Sequence, residues 1–295
     1  MRPTPTPFFS ENPLDKMDYL RPTIDIKNAP GATRFILFSE GQIILRASDQ
    51  QSTFSESELS MIQHDKELSL FLGSDGEEHY FAVSVSLDAS EDFEQLDLRT
   101  FVSRRVMPVS NLGMVAQAGS VFKWHESHQF CANCGTKTTI AHSGWRRDCS
   151  KCEKQHFPRL DPVIIMMVTH GDNCIIGASH HYPENFYSCL AGFIEPGETI
   201  ENAARREVFE EVGVVGGHVR YVCSQPWPFP HSLMIGVHME AETAEMTIDE
   251  KEIREARWVS KQEIIEVMNN PESHGYYLPP SIAIARTLFK EWIAE

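Results

Sequence analysis

Short apolar runs separated by Gly, Ser and Asp clusters mark the first third of the chain, at residues 34–38, 42–46, 68–72 and 80–87. Their β-branched and aromatic content predicts strands, Tyr80-Phe81-Ala82-Val83-Ser84-Val85 being the type. Residues 1–30 are rich in Pro, Asp and Asn and predict an irregular lead-in. Between Phe101 and His125 the apolar residues Val102, Val106, Leu112, Val115 and Val121 are spaced for one buried helical face. Residues 1–125 thus read as a small α+β domain without a chemical constellation. Strands and helices alternate from Asp161 onward. Residues 163–168 are continuously apolar, 174–177 follow a His170-Gly171-Asp172-Asn173 turn, and 186–193 lead into a helix capped by Thr199, with Glu201 in its first turn. Ile200, Ala203, Ala204, Val208 and Val212 form the helix face that packs on a sheet. Strands at 219–223, 233–240 and 256–259 and helices at 261–268 and 281–294 complete a domain over 161–295, with 126–160 between the two.

Composition changes this picture little. The 295 residues suffice for about two domains, and 41% hydrophobic with 23% charged residues is ordinary for a globular protein. No apolar run reaches the roughly 20 residues that cross a bilayer, and neither terminus carries a recognisable leader or address tag, so a cytoplasmic protein without membrane partners is expected. A net charge of −16 argues against binding polyanions through the overall field.

Four of the seven cysteines stand as two Cys-x-x-Cys pairs, Cys131/Cys134 and Cys149/Cys152, fourteen residues apart. Paired turns of this kind complete a tetrahedral S₄ site, the coordination of closed structural zinc, one ion per chain. With all four positions filled by protein, no place is left for substrate. Six basic residues lie around these cysteines (Lys137, Arg146, Arg147, Lys151, Lys154 and Arg159) against three acidic ones, a local +3 that could guide a phosphorylated ligand or an RNA end, or be merely solvated. Cys174, Cys189 and Cys223 lie in apolar runs and read as packing residues.

Residues 192–214, GFIEPGETIENAARREVFEEVGV, carry the chemistry. Two glycines, Gly192 and Gly197, read as turn formers, and Gly213 closes the helix. Glu207, Glu210 and Glu211, at i, i+3 and i+4, share one helix face, where they repel one another unless a cation sits among them. A divalent ion with oxygen ligands suits such a set. A solvated acidic face would leave Glu198, Arg206 and the glycines at their fixed offsets unexplained. Arg206 finds its partner in Glu210 or Glu198 and fixes the glutamate rotamers. Later in the chain, Gln225, Pro226, Trp227, Pro228, Phe229, Pro230, His231 and Ser232 form a segment in which alternate prolines predict a stiff, extended course, with two aromatic panels between them and hydrogen-bonding groups at its ends. Such a segment suits a flat ring.

The 23-residue pattern, with every specified position filled, resembles the Nudix box, and the Cys₄ ribbon, box and SQPWPFPHS together resemble the NADH pyrophosphatases of the Nudix superfamily. The resemblance implies an N-terminal α+β domain (1–125), a zinc ribbon (126–160) and a Nudix α/β/α sandwich with a mixed sheet (161–295), α+β overall. It implies cleavage of the pyrophosphate of NADH or NAD⁺ to reduced or oxidised nicotinamide mononucleotide and AMP, removal of NAD caps from RNA, and a homodimer with a shared pocket. A broader hydrolase of ADP-ribose or dinucleoside polyphosphates, and a non-catalytic nucleotide-binding regulator, are the alternatives. Carried over by position, Mg²⁺ or Mn²⁺ falls to Glu207, Glu211 and a later glutamate, Glu252 or else Glu255, with Glu210 a further ligand or the group that deprotonates water. The backbone at Ala191, the 225–232 segment, Ala285, and the rings of Phe157 and Phe193 are implied substrate contacts. An acidic contact of some relatives falls here on Gly144, and a Tyr of some bacterial relatives is Phe157.

Overall fold

A computed structural model describes residues 4–87 and 91–295, so the first three residues of the expected lead-in lie outside the described residues. The chain forms two compact units: Phe9–Leu160 with Trp227–His231, and Asp161–Pro226 with Ser232–Glu295 and the start of the chain.

In the first unit, β1 (Ala32–Ser39), β2 (Gln42–Arg46), β3 (Thr53–Phe54), α1 (Glu56–Ser60), β4 (His64–Ser74), β5 (Glu78–Val85), β6 (Phe93–Leu96), α2 (Leu98–Ser103) and α3 (Leu112–Ser127) precede the short ribbon strands β7 (Thr139–Ala141), β8 (Arg146–Asp148) and β9 (Gln155–His156). The larger sheet runs β4-β5-β1-β2-β6, with β3 also on β1. Strand alternation divides its core. Phe35, Leu37, Phe71, Phe81 and Val83 pack with Ile24 and Leu59 on one side. Phe38, of the opposite parity, meets Phe122 of α3 edge-on, with centroids 5.2 Å apart. The single helix expected between Phe101 and His125 is instead two. Arg105 adopts φ 53° and Pro108 has no N–H to continue a helix, so α2 ends at Ser103 and α3 begins at Leu112.

The ribbon is joined to α3 by a buried polar network. Arg147 Nε donates to Thr138 Oγ1 at 2.8 Å, and its Nη1 to His125 Nδ1 at 2.9 Å. His125 then donates from Nε2 to the Gly144 carbonyl at 2.7 Å. Burial beside the Arg147 guanidinium lowers the His125 pKa to about 4, so the ring is neutral, as that chain of donors requires.

The second unit comprises β10 (Asp161–His170), β11 (Asn173–Ser179), β12 (Leu190–Phe193), α4 (Ile200–Val212), β13 (Gly216–Trp227), β14 (Ser232–Ala241), β15 (Ile253–Ser260), α5 (Lys261–Asn269) and α6 (Ile284–Ala294). Its sheet runs β13-β14-β10-β11-β15, with β12 also on β10. Parallel β10–β14 and antiparallel β10–β11 make it mixed. The apolar run of β10 is buried on both faces. Ile164, Met166 and Val168 pack against Ala203, Ala204, Val208 and Val212 of α4. Ile165 and Met167 pack with Ile264 of α5 and Leu288, Phe289 and Trp292 of α6. The result is the expected α/β/α sandwich. Regular strand begins only at Leu190 in the 186–193 run, whose earlier residues make isolated bridges, Phe186 to Tyr277 and Ser188 to Gly177.

Candidate active site

β12 and α4 meet at a turn whose side chains are fixed on both sides. Thr199 accepts from the Asn202 N–H at 3.2 Å, and Gly197 sits at φ 97°, as the turn requires. Gly192 has a different role from the expected turn. It lies within β12 without a positive φ, and a Cβ there would fall 2.0 Å from the Glu207 carboxyl carbon. Only glycine lets that carboxylate lie against the strand.

Arg206 resolves the choice of partners by taking both and adding a third. Its guanidinium binds Glu198 with Nε at 2.6 Å and Nη2 at 2.8 Å, Glu207 and Glu210 with Nη1 at 2.9 Å each, and the Phe193 carbonyl at 2.9 Å. These hydrogen bonds hold Glu198 down to about 2. Glu207 receives the same help, yet burial leaves its pKa raised. Glu211 has no such partner. It is 8% exposed and its Oε2 is buried without a hydrogen bond. Burial first, then the charges of Glu207, Glu252 and Glu210, raise its pKa to about 8.

Glu207, Glu211 and Glu252 line one cavity of about 570 Å³, together with Ala191, Phe193, Glu195, His181 and Tyr182. An orphaned buried oxygen on a residue that lines the cavity, among repelling carboxylates, fits a divalent cation with oxygen ligands. Glu252 and Glu255 separate clearly. Glu252 faces the cavity, whereas Glu255 accepts from the Tyr187 hydroxyl at 2.6 Å. Glu210 is outside the cavity lining, half exposed and paired to Arg206.

The cysteines form a second site in the first unit. Their four sulfurs lie within 4.8 Å of one another, with Cys131–Cys152 and Cys134–Cys149 at 3.5 Å and no disulfide. Tetrahedral zinc with bonds near 2.3 Å sets its sulfurs about 3.8 Å apart, so the set fits structural zinc. Each knuckle is closed by a main-chain bond, Gly135 N–H to the Cys131 carbonyl at 2.8 Å and Glu153 N–H to the Cys149 carbonyl at 3.0 Å.

Family models match in sequence order: an NADH pyrophosphatase-like rudimentary NUDIX domain over residues 32–124, an NADH pyrophosphatase zinc ribbon domain over 126–157, and a NUDIX domain over 159–279. The chain is 36% identical to the NAD-capped RNA hydrolase NUDT12 of Homo sapiens, over 97% of this chain and 73% of that one. It belongs to the Nudix hydrolases, in the zinc-ribbon NADH pyrophosphatase group. This Nudix hydrolase is also 32% identical to the NAD-capped RNA hydrolase NudC of Mycobacterium bovis, over 98% of its own length and 95% of that chain. Among solved structures, a NUDIX hydrolase from Nitrosomonas europaea aligns over 51% of this chain and 95% of its own, at 19% identity and TM-score 0.42.

Of the residues expected at the site of this Nudix hydrolase, the cavity gathers Ala191, Phe193, Glu207, Glu211 and Glu252. The 225–232 segment is outside that lining and keeps its expected extended course only in part: residues 225–227 end β13, and residues 228–231 turn, with the Phe229 N–H on the Trp227 carbonyl at 2.8 Å, before β14 begins. Within the first unit Trp227 and Phe229 pack at 5.0 Å, and the Arg99 guanidinium lies 4.1 Å from the Phe229 centroid. Gln225 is fully buried, donating to the Phe8 and Ile282 carbonyls at 3.0 and 2.8 Å and accepting from the Ile284 N–H at 2.8 Å. Ala285 is buried in the α6 core, whereas Phe157 is exposed. Gly144, at φ 86°, would set a Cβ 2.8 Å from the Ser69 carbonyl, so no acidic side chain fits there. The ribbon's basic patch shrinks as well, because Arg147 is buried and Arg146 pairs with Asp148 at 2.7 Å.

Sequence reasoning missed His181, Tyr182 and Glu195 in the cavity wall. The available signal was positional: residues 180–189 connect β11 to β12, the strand that opens into the box, and Glu195 lies in the box itself.

Proposed function

We propose that this chain hydrolyses the pyrophosphate of NADH or NAD⁺ to reduced or oxidised nicotinamide mononucleotide and AMP, and removes NAD caps from RNA 5′ ends. The observation that carries the chemistry is the convergence of Glu207, Glu211 and Glu252 on one cavity beneath an intact box. The substrate reading is supported by the three family matches in order and by relatives named for NAD-capped RNA.

Mg²⁺ or Mn²⁺ held by Glu207, Glu211 and Glu252 would neutralise charge on the pyrophosphate and make a bound water more acidic. The chain's part is largely positioning, the main source of rate in phosphoryl transfer. Arg206 keeps Glu207 against Gly192 while it neutralises Glu198. Glu210 acts as a further ligand or as the group that takes the water's proton, through the oxygen that Arg206 Nη1 does not hold. The exposed ring of Phe193 at the cavity edge is offered for stacking on a base. Phe157, the 225–232 segment and Ala285 are proposed as the family's remaining substrate positions, in a homodimer with a shared pocket. Gln225, its amide already bonded to main chain, would serve by anchoring that segment. No helix among the described residues is long and apolar enough to cross a membrane, and seven cysteines outside any disulfide, four of them the zinc set, accord with a cytoplasmic protein.

The test is a product assay across NADH, NAD⁺, ADP-ribose and NAD-capped RNA with Mg²⁺ or Mn²⁺. AMP and reduced nicotinamide mononucleotide from NADH are expected. Equal or faster turnover of ADP-ribose would replace this reading with a broad nucleoside-diphosphate hydrolase.

A further inference from the structure

The lining of this cavity has an uneven charge distribution. Four carboxylates line it (Glu195, Glu207, Glu211 and Glu252), and no Lys or Arg does. The one lining side chain able to carry positive charge is that of His181. Its placement follows from the sheet. Ser179 pairs with Ile253 at the end of β11 and β15, after a register shift, so the chain leaves that edge toward His181 on one strand and comes from Glu252 on the other.

The loop carrying His181 is fixed on every side except at that ring. The neighbouring His180 hydrogen-bonds the Glu250 carbonyl at 2.8 Å through Nε2. Arg254 donates to the Tyr182 and Pro183 carbonyls at 3.2 and 3.4 Å. The His181 N–H reaches Ser179 Oγ at 3.3 Å, and the Tyr182 ring stands edge-on to Phe186 with centroids 5.0 Å apart. The His181 imidazole itself is exposed and makes no hydrogen bond among the described residues. A held backbone thus places an unspent ring at the cavity wall, where its N–H can be given to a ligand.

We propose that His181 binds a non-bridging oxygen of the substrate pyrophosphate in this cavity. The assignment rests on the hydrolase reading. A cation held by Glu207, Glu211 and Glu252 would bring the pyrophosphate into this lining, where a His181 N–H offers its remaining oxygens a donor instead of another carboxylate. AMP, which keeps one of the two phosphates, uses the same contact.

The test compares wild type with His181→Ala and His181→Arg, measuring NADH cleavage and inhibition by AMP. Because the ring is exposed and unbonded, both variants should keep the wild-type melting temperature. His181→Ala should lose about tenfold in kcat/KM and weaken AMP inhibition by a similar factor, the scale of one charge-assisted hydrogen bond. His181→Arg should recover most of both. Wild-type kcat/KM and AMP inhibition in His181→Ala, within twofold, would overturn the assignment, as would an equal loss in both variants. Failure of the wild type itself to cleave NADH would instead sink the hydrolase reading, and the outcomes therefore stay distinguishable.

Discussion

The cysteine and glutamate sites solve opposite problems with ionisable side chains. In the ribbon, four sulfurs are drawn within 4.8 Å of one another, which leaves no position for a substrate. Among the described residues only the cysteines meet that spacing. The glutamates line a cavity of about 570 Å³ without closing on one point, and one of them, Glu211, is left raised to about 8 by burial and like charge. A closed site holds its fold together, whereas an open one keeps repulsion in place so that a cation and a pyrophosphate can relieve it. Stability and activity should therefore respond in opposite ways when each is damaged.

The largest effect is expected in the ribbon. Cys149→Ser removes one of four ligands that no other group replaces. The zinc content should fall from one per chain toward zero, and the melting temperature by more than about 10 °C, since structural zinc supplies folding free energy outright. Full zinc content with unchanged melting would refute the S₄ assignment.

Glu211→Gln should do the reverse. Turnover of NADH is expected to drop by about a thousandfold or more, since ligand and charge are lost together. The fold should be as stable as the wild type's or slightly more stable, because a buried unpaired carboxylate is replaced by a neutral group. Zinc content should not change. Near-normal cleavage by this variant would remove the glutamates from the chemistry.

How far the two sites could be read from sequence follows from the same difference. Knuckle ligands are local, three positions apart within each pair, so the paired Cys-x-x-Cys spacing located the S₄ site. Glu207 and Glu211 share a helix face by periodicity and were equally legible. Glu252 was not separable from Glu255, because only the strand register and the Tyr187 hydroxyl distinguish them. His181 and Tyr182 escaped for a related reason: they enter the cavity from a loop with no periodicity of its own. The continuous apolar run at 163–168 marked β10, yet the break between α2 and α3 was missed because helical spacing was followed across Pro108 and does not register the left-handed Arg105. Gly192 was read as a turn former because glycine usually is one, whereas its true constraint is the Glu207 carboxylate approaching from α4, a tertiary contact. The prolines of 225–232 likewise suggested extension, which holds to Trp227, whereas residues 228–231 turn between the neighbouring strands β13 and β14.

The smallest effect is the one that depends most directly on the open site's repulsion. The Glu211 pKa rises from 4.5 to about 8 on folding. A carboxyl group raised in this way is bound to its proton more tightly when folded. Below about pH 4.5 it is neutral in both states and costs nothing, and between that value and about pH 8 the unfolded chain ionises first, so stability falls as pH rises. A cation bound by the carboxylates relieves that cost and competes with the proton for them. Adding Mg²⁺ should therefore raise the melting temperature by about 5 °C at pH 8.5 and by about 1 °C or less at pH 5.5. Glu211→Gln should flatten the difference, while Cys149→Ser should leave the Mg²⁺ increment of the remaining transition unchanged. An increment independent of pH in the wild type would mean that the cation binds without displacing the proton of Glu211, and the open site would then have to be built around Glu207 and Glu252 alone.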